Sequence, residues 1–281
     1  MASVADGIRA GILLPLLLVP AAGQEITRVP YQCSQEEVAT FGLHCTEDEP
    51  CPVYLELAAV EQVGVRLFVV GNLHTESVTL QSVLLASPDG GRTWSEPYER
   101  IPGAALDRVQ FFDYATGWIS GQIVQPLPRD PFFLLTTDGG TTWRRRPVFS
   151  ESRTGAVERF WFNTRDDGTL WIDRSQSGDK GAAYERYETA TGGESWTLRE
   201  AAGKLPAPGP ADKGRDVGWR IRPDTATRAY RLERRGENQW QLVAAFPIPI
   251  GMCAPPAGEL TEPPEPPPPP EEKKAPPRKK R

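Results

Sequence analysis

The 281-residue sequence predicts an all-β fold made of about four similar four-stranded sheets. Three observations carry this. Gly and Pro are abundant, Trp occurs eight times and helix-forming runs are scarce, a profile of short strands joined by tight turns. A Gly-Gly-x-x-Trp motif recurs with a period of about 44 to 53 residues, the size of one four-stranded propeller blade. A second aromatic mark keeps register with it: Trp118 to Trp143 and Trp171 to Trp196 are both 25 residues.

The first copy of the motif, SPDGGRTW at 87–94, contains Ser87, Asp89, Gly90, Gly91 and Trp94. The second, TTDGGTTW at 136–143, contains Thr136, Asp138, Gly139, Gly140 and Trp143. The third, TATGGESW at 189–196, keeps Gly192, Gly193 and Trp196 but has Thr191 in place of Asp. A faint fourth, ERRGENQW at 233–240, keeps Trp240. The residue types explain one another as a turn between strands. The glycines accept positive φ, and the carboxylate accepts backbone N–H groups within the turn. The Ser or Thr fixes the strand end, and the indole covers the hairpin. These residues are therefore expected to be structural, not catalytic. Two similar carboxylates on separate units also fail the close pairing that glycoside hydrolysis needs.

Each unit reads as four strands. In the second, an apolar strand at Val109–Phe112 precedes the aromatic mark, a third strand covers Phe132–Thr137, and a fourth begins near the Trp. In the fourth unit, LPAPGPADKGRD at 205–216 replaces the first strand. A strand from the N-terminal segment is expected to fill that place.

The segments SPDGGRTW and TTDGGTTW resemble the Asp-box, or bacterial neuraminidase repeat, of sialidases, sortilin and related propellers. The fuller unit is carried by Phe111, Asp113, Gly117, Trp118 and Gly121, followed by Thr136, Asp138, Gly139, Gly140 and Trp143. It is most similar to the photosystem II stability and assembly factor family. The resemblance covers roughly residues 53–250. It implies a β-propeller that binds partner proteins during complex assembly, with no catalytic site in its repeats. This chain shows about four units, not seven, so a small or incomplete ring closed by a disulfide is expected.

The ends differ from the middle. Arg9, the apolar run 10–22 and the small residues Ala21, Ala22 and Gly23 make residues 1–23 a signal peptide. A Cys-containing segment follows at 24–52, then the propeller at 53–253. Four cysteines in an exported chain imply two disulfides with three possible connectivities. Of these, Cys45–Cys51 as a local loop and Cys33–Cys253 as a closure are favoured. A zinc site is disfavoured, because there is no Cys-x-x-Cys pair and only His44 and His74 are available. Residues 254–281 form a Pro-rich tail that cannot build a core. Its tip carries Lys273, Lys274, Arg278, Lys279, Lys280 and Arg281, a candidate contact for an anionic surface.

The net charge of -5 gives no basic field for nucleic acid. No phosphate loop, dinucleotide fingerprint or nucleophile elbow is present, and no cofactor or metal is expected. Asp166-Asp167-Gly168 lacks the spaced acidic ligands of a calcium loop and reads as a turn. The sequence thus points to a non-enzymatic, extracytoplasmic protein-binding or assembly module, periplasmic or secreted. Leu127–Pro131 and Arg144–Arg146 are its candidate contact loops. Two alternatives stay open. One is a sialidase-like glycosidase or carbohydrate-binding protein using Arg220 and Arg222, with Tyr184, Glu185 and Tyr187 close to one another in sequence. The other is a structural subunit of an envelope or membrane complex, docked through its tail.

Overall fold

The computed structural model describes residues 26–46, 48–178, 181–207 and 218–254. Residues 1–23, expected to be a signal peptide, and the tail beyond Ala254 lie outside them. The described chain is all-β apart from one short helix, α1 (Gln35–Thr40). A reciprocal capping box between Ser34 and Glu37 starts that helix. No described helix is long and apolar enough to cross a membrane.

Four antiparallel sheets form the blades of a small propeller-like assembly. Sheet I contains β1 (Cys51–Val63), β2 (Arg66–His74) and β3 (Thr79–Ser87). Sheet II contains β4 (Ala104–Phe111), β5 (Gly117–Ile123), β6 (Arg129–Thr136) and β7 (Arg144–Pro147). Sheet III contains β8 (Ala156–Phe162), β9 (Gly168–Asp173), β10 (Tyr184–Thr189) and β11 (Thr197–Ala202). Sheet IV contains β12 (Trp219–Asp224), β13 (Ala229–Arg235) and β14 (Trp240–Pro247). The last strand, β15 (Pro249–Cys253), pairs with β1 and makes sheet I four-stranded, in the order β15-β1-β2-β3.

In sheets II and III the order follows the chain, as the repeat predicts. The first strands of sheets I, II and III share one irregularity. Their registers slip at Leu57/Ala59, Leu106/Arg108 and Val157/Arg159 when paired with the second strand. A bulge at the same place in three sheets bends each strand alike and increases its local twist.

The sheets pack face to face. One buried cluster joins sheet I to sheet IV, through Leu55, Leu67, Leu232 and Phe246. A second joins I to II, through Phe68, Val70, Leu106 and Phe132. A third joins II to III, through Trp118, Phe133, Phe160 and Leu170. The three clusters chain the sheets in the order IV–I–II–III, and none of them links III back to IV.

Both disulfides take the favoured pairing. Cys45–Cys51 closes a local loop, and Cys33–Cys253 joins residues 220 positions apart. Such bonds persist in oxidising compartments. The segment before β1 shares the core of the first cluster, where Val29 and Cys45 are buried.

Two expectations are corrected. Among the described residues, no strand of the N-terminal segment pairs with β12, where the first strand of sheet IV was expected. Ile26 instead pairs in parallel with Ala245 on β14, the other edge of that sheet, and Thr27 N donates to Ala245 O at 2.9 Å. The fourth strand of unit I does not form after Trp94 either, where only a bridge between Ala86 and Ser95 remains. Pairing of β1 with β15 satisfies the opposite edge, so the C-terminal strand supplies what the repeat omits.

Candidate functional site

The Asp-box turns explain their own residues. Asp89 Oδ1 accepts from Arg92 N and Thr93 N at 3.0 and 2.9 Å, and its Oδ2 accepts from Thr93 Oγ1 at 2.8 Å. Asp138 repeats this with Thr141 N, Thr142 N and Thr142 Oγ1. Ser87 and Thr136 hydroxyls accept from Gly91 N and Gly140 N, both at 2.8 Å, and donate to the turn carboxylates. Gly140 has φ 83°, and a side chain there would meet the Phe68 ring at 2.4 Å. Its glycine is required by backbone conformation and by the neighbouring sheet alike. Trp94 and Trp143 donate Nε1 to Gly91 O and Gly140 O at 3.1 Å, closing each turn.

The bonds to Thr93, from its backbone first, hold the Asp89 carboxyl down to about 2. For Asp138, burial pushes upward, but bonds from Thr142, Thr136 and Thr141 outweigh it and bring the carboxyl to about 2. Both stay ionised and acceptor-bound through neutral pH, the opposite of a general acid. A folded value below the unfolded one stabilises above about pH 4, and that stability is lost as pH falls towards 2. Asp138→Asn is therefore expected to lower the melting temperature at neutral pH and to weaken its dependence between pH 4 and 2, read by thermal denaturation across pH.

In the third copy, Thr191 Oγ1 accepts from Ser195 N at 3.0 Å, so the hydroxyl replaces one of the carboxylate's bonds. Thr189 keeps the Ser/Thr role through Gly193 N. In the fourth copy, β13 and β14 meet in a hairpin closed by Gly236 N to Gln239 O at 2.9 Å, without the double-glycine turn.

The turns also bolt adjacent sheets together. Arg66 donates to Gly139 O and Tyr114 O at 2.5 and 2.6 Å, joining sheet I to the Asp-box of sheet II. Trp118 Nε1 donates to Gly192 O at 2.8 Å, joining sheet II to the Asp-box of sheet III. Arg165 meets Asp113 at 2.6 Å across the same pair. Asp113 is held at about 2, chiefly by Thr116 N and Ala115 N.

The candidate contact residues are placed differently from expectation. Arg144–Arg146 is not a loop but most of strand β7. Arg144 pairs with Glu194 at 2.9 Å, Arg146 pairs with the same carboxylate, and Arg145 lies 4.2 Å from the Phe132 ring centre. Of Leu127–Pro131, the last three residues belong to β6, and Leu127 is exposed. Asp166 and Asp167 lie in the β8–β9 turn, where Asp167 N donates to Thr164 Oγ1. Among the described residues, no three His, Cys, Asp or Glu side chains converge as a metal would require.

On β10, Glu185 and Tyr187 share one face and Tyr184 falls on the other. Tyr187 donates to Glu185 at 2.7 Å, and Arg153 contacts Tyr187 Oη and Glu185 at 2.9 Å each. Burial, followed by the Glu185 bond and charge, pushes the Tyr187 hydroxyl well above its ordinary range. Arg220 and Arg222 lie on β12, away from this group; Arg220 pairs with Glu233 at 2.6 Å.

One polar cluster was not anticipated. Asn72 is buried on β2 and donates to Glu56 on β1 at 3.0 Å. Asp107, skipped by the register at the β4 bulge, is raised to about 6 by burial first, opposed by Arg108 and reinforced by Glu56. A bulge residue leaves the two-residue alternation, so period reading could not find it. A raised carboxyl favours the folded state below about pH 4, and that advantage is lost as pH rises through 6. Asp107→Asn is expected to stabilise the protein at pH 7 by about 3 kcal/mol, with the gain vanishing near pH 4 in denaturant titrations.

No protein-family model matches the chain, and no curated protein matches it. Solved structures do show likeness. A structure described as YCF48 bound to a D1 peptide is 19% identical, with a TM-score of 0.38, covering 70% of this chain and 56% of that one. A GH74 xyloglucanase from Xanthomonas campestris is 14% identical, with a TM-score of 0.36, covering 65% and 27%. An α-L-arabinanase from Penicillium chrysogenum, complexed with arabinobiose, is 13% identical, with a TM-score of 0.34, covering 71% and 62%. The chain thus spans between about a quarter and three fifths of their lengths. The assignment of an all-β, propeller-like fold rests on this chain's own four sheets and their repeated turns.

Proposed function

We propose that the chain is a non-enzymatic protein-binding or complex-assembly module that works outside the cytoplasm, in the periplasm or secreted. The observation that carries this is the use of the Asp-box carboxylates. Asp89 and Asp138, the acidic pair a glycosidase reading would reach for, are each saturated by bonds inside their own turns. What remains is a rigid, disulfide-closed scaffold with turns locked across sheets, a suitable platform for presenting loops to a partner.

The reading includes cleavage of residues 1–23 as a signal peptide, and a tail that extends reach and touches an anionic surface through its basic tip. Membership of a larger envelope complex is a version of the same proposal. The glycosidase reading is weaker, because Tyr187 is buried and Arg220 and Arg222 lie on a different sheet from the Glu185–Tyr187 pair.

Affinity capture of the tagged full-length protein from native envelope, read by mass spectrometry, tests the proposal. A stoichiometric protein partner supports it. Absence of any partner, together with turnover of glycoside substrates that is lost in Glu185→Gln, would overturn it.

A further inference from the structure

The outward face of sheet IV is an unusual end for a stack of sheets. Its opposite face packs on sheet I through Leu232 and Phe246. By the pairing of Arg220 with Glu233 and of Arg222 with Arg231, the outward face presents Arg220, Arg222, Arg231 and Arg235 against two carboxylates, Asp224 and Glu233. Those carboxylates are already committed. Glu233 meets Arg220 at 2.6 Å and Arg231 at 3.0 Å, and Arg231 also lies 3.5 Å from Asp224. Arg222 and Arg235 are exposed and have no ion pair among the described residues. The Arg220 guanidinium sits 4.2 Å from the centre of the Trp240 ring. Grooves of about 340 and 950 Å³ flank the face, one reaching Arg222 and the other Arg235.

An aromatic ring beside free cations is a surface for a polyproline segment that carries negative charge. The chain has such a segment. Residues 255–272 contain five Glu, nine Pro and no Lys or Arg. That stretch begins directly beyond β15, and β15 follows β14 of sheet IV after Ile248 alone. At about 3.1 Å per residue, residues 255–272 extend for roughly 55 Å. The β15 excursion uses about 17 Å, and a six-residue strand is about 20 Å long. The tail therefore has ample length to return across sheet IV. Tethering supplies an effective concentration of about millimolar, so a few weak contacts suffice.

We propose that the acidic proline-rich stretch 259–272 docks on the outward face of sheet IV, its glutamates on Arg222 and Arg235 and its prolines against Trp240. The acidic part of the tail is then partly neutralised against the body, and the basic tip from Lys273 onward projects alone. This occupant is the chain's own segment and does not depend on the partner-binding reading above.

Nuclear magnetic resonance of the isotope-labelled full-length protein tests it. Heteronuclear NOE values for Glu259, Leu260, Thr261, Glu262 and Glu265 should indicate order at low salt. Order should be lost at high salt and in Arg222→Glu/Arg235→Glu, and Trp240→Ala should reduce it. Unchanged core resonances in the double variant show that the fold is intact. Amides equally mobile in native and variant protein would overturn the proposal, as would order that survives the double charge reversal. Order that grows with protein concentration would overturn it in favour of a second copy.

Discussion

Replacing Cys33 and Cys253 together by serine is expected to lower the unfolding free energy by about 5 kcal/mol, measured by denaturant titration. The magnitude comes from loop closure. The bond joins residues 220 positions apart, and the chain-entropy model gives such a loop about 5 kcal/mol, against about 2 kcal/mol for a six-residue loop. The comparison makes the test specific: Cys45→Ser/Cys51→Ser should cost less than half as much. The larger effect also has a structural side. Cys253 is fully buried at the end of β15, and its partner anchors the segment that carries Val29 into the core and Ile26 to β14. Losing the bond uncouples the segment before β1 from the end of β15. Equal costs for the two serine pairs would show that closure does not depend on loop length.

Trp118→Ala is expected to cost about 3–5 kcal/mol. The side chain is 1% exposed at the seam between sheets II and III. Its ring stacks on Phe162 with centroids 3.7 Å apart, and Nε1 donates to Gly192 O at 2.8 Å. Truncation thus removes apolar burial, an aromatic pair and the bolt to the third Asp-box together. Trp118→Phe separates these contributions, since it keeps a ring but loses the N–H. A loss of about 1 kcal/mol for Phe and several for Ala would assign most of the effect to packing. A small effect for Ala would mean that the seam between II and III repacks.

What the sequence made legible was local. Gly-Gly, Asp and Trp lie within eight residues in each strong copy, and the turn they make is complete within itself. The fixed 25-residue interval likewise reports strands adjacent in both chain and space. The contributions of distant segments were not legible. β15 reads PIGMC, and its leading proline suits an edge position but gives no strand pattern. A single parallel bridge at Ile26 leaves no periodicity to read. The Arg144–Arg146 run looked like a contact loop because its neutralising partner, Glu194, lies 48 to 50 residues away. Asp107 escaped notice because a bulge breaks the alternation that distinguishes inside from outside.

The pairing of β1 with β15 has a consequence for biogenesis. The first sheet to be synthesised contains β1, but the strand that satisfies its edge is residues 249–253, nearly the last of the described chain. The sheet therefore emerges with a row of open backbone donors and acceptors, and they stay open until residues 249–253 have been made. Contacts this remote in sequence slow folding. The nascent protein thus passes through a stage in which later sheets are complete while the oldest is not. During that stage the exposed β1 edge is where a holding chaperone would be needed and where premature association between chains would begin.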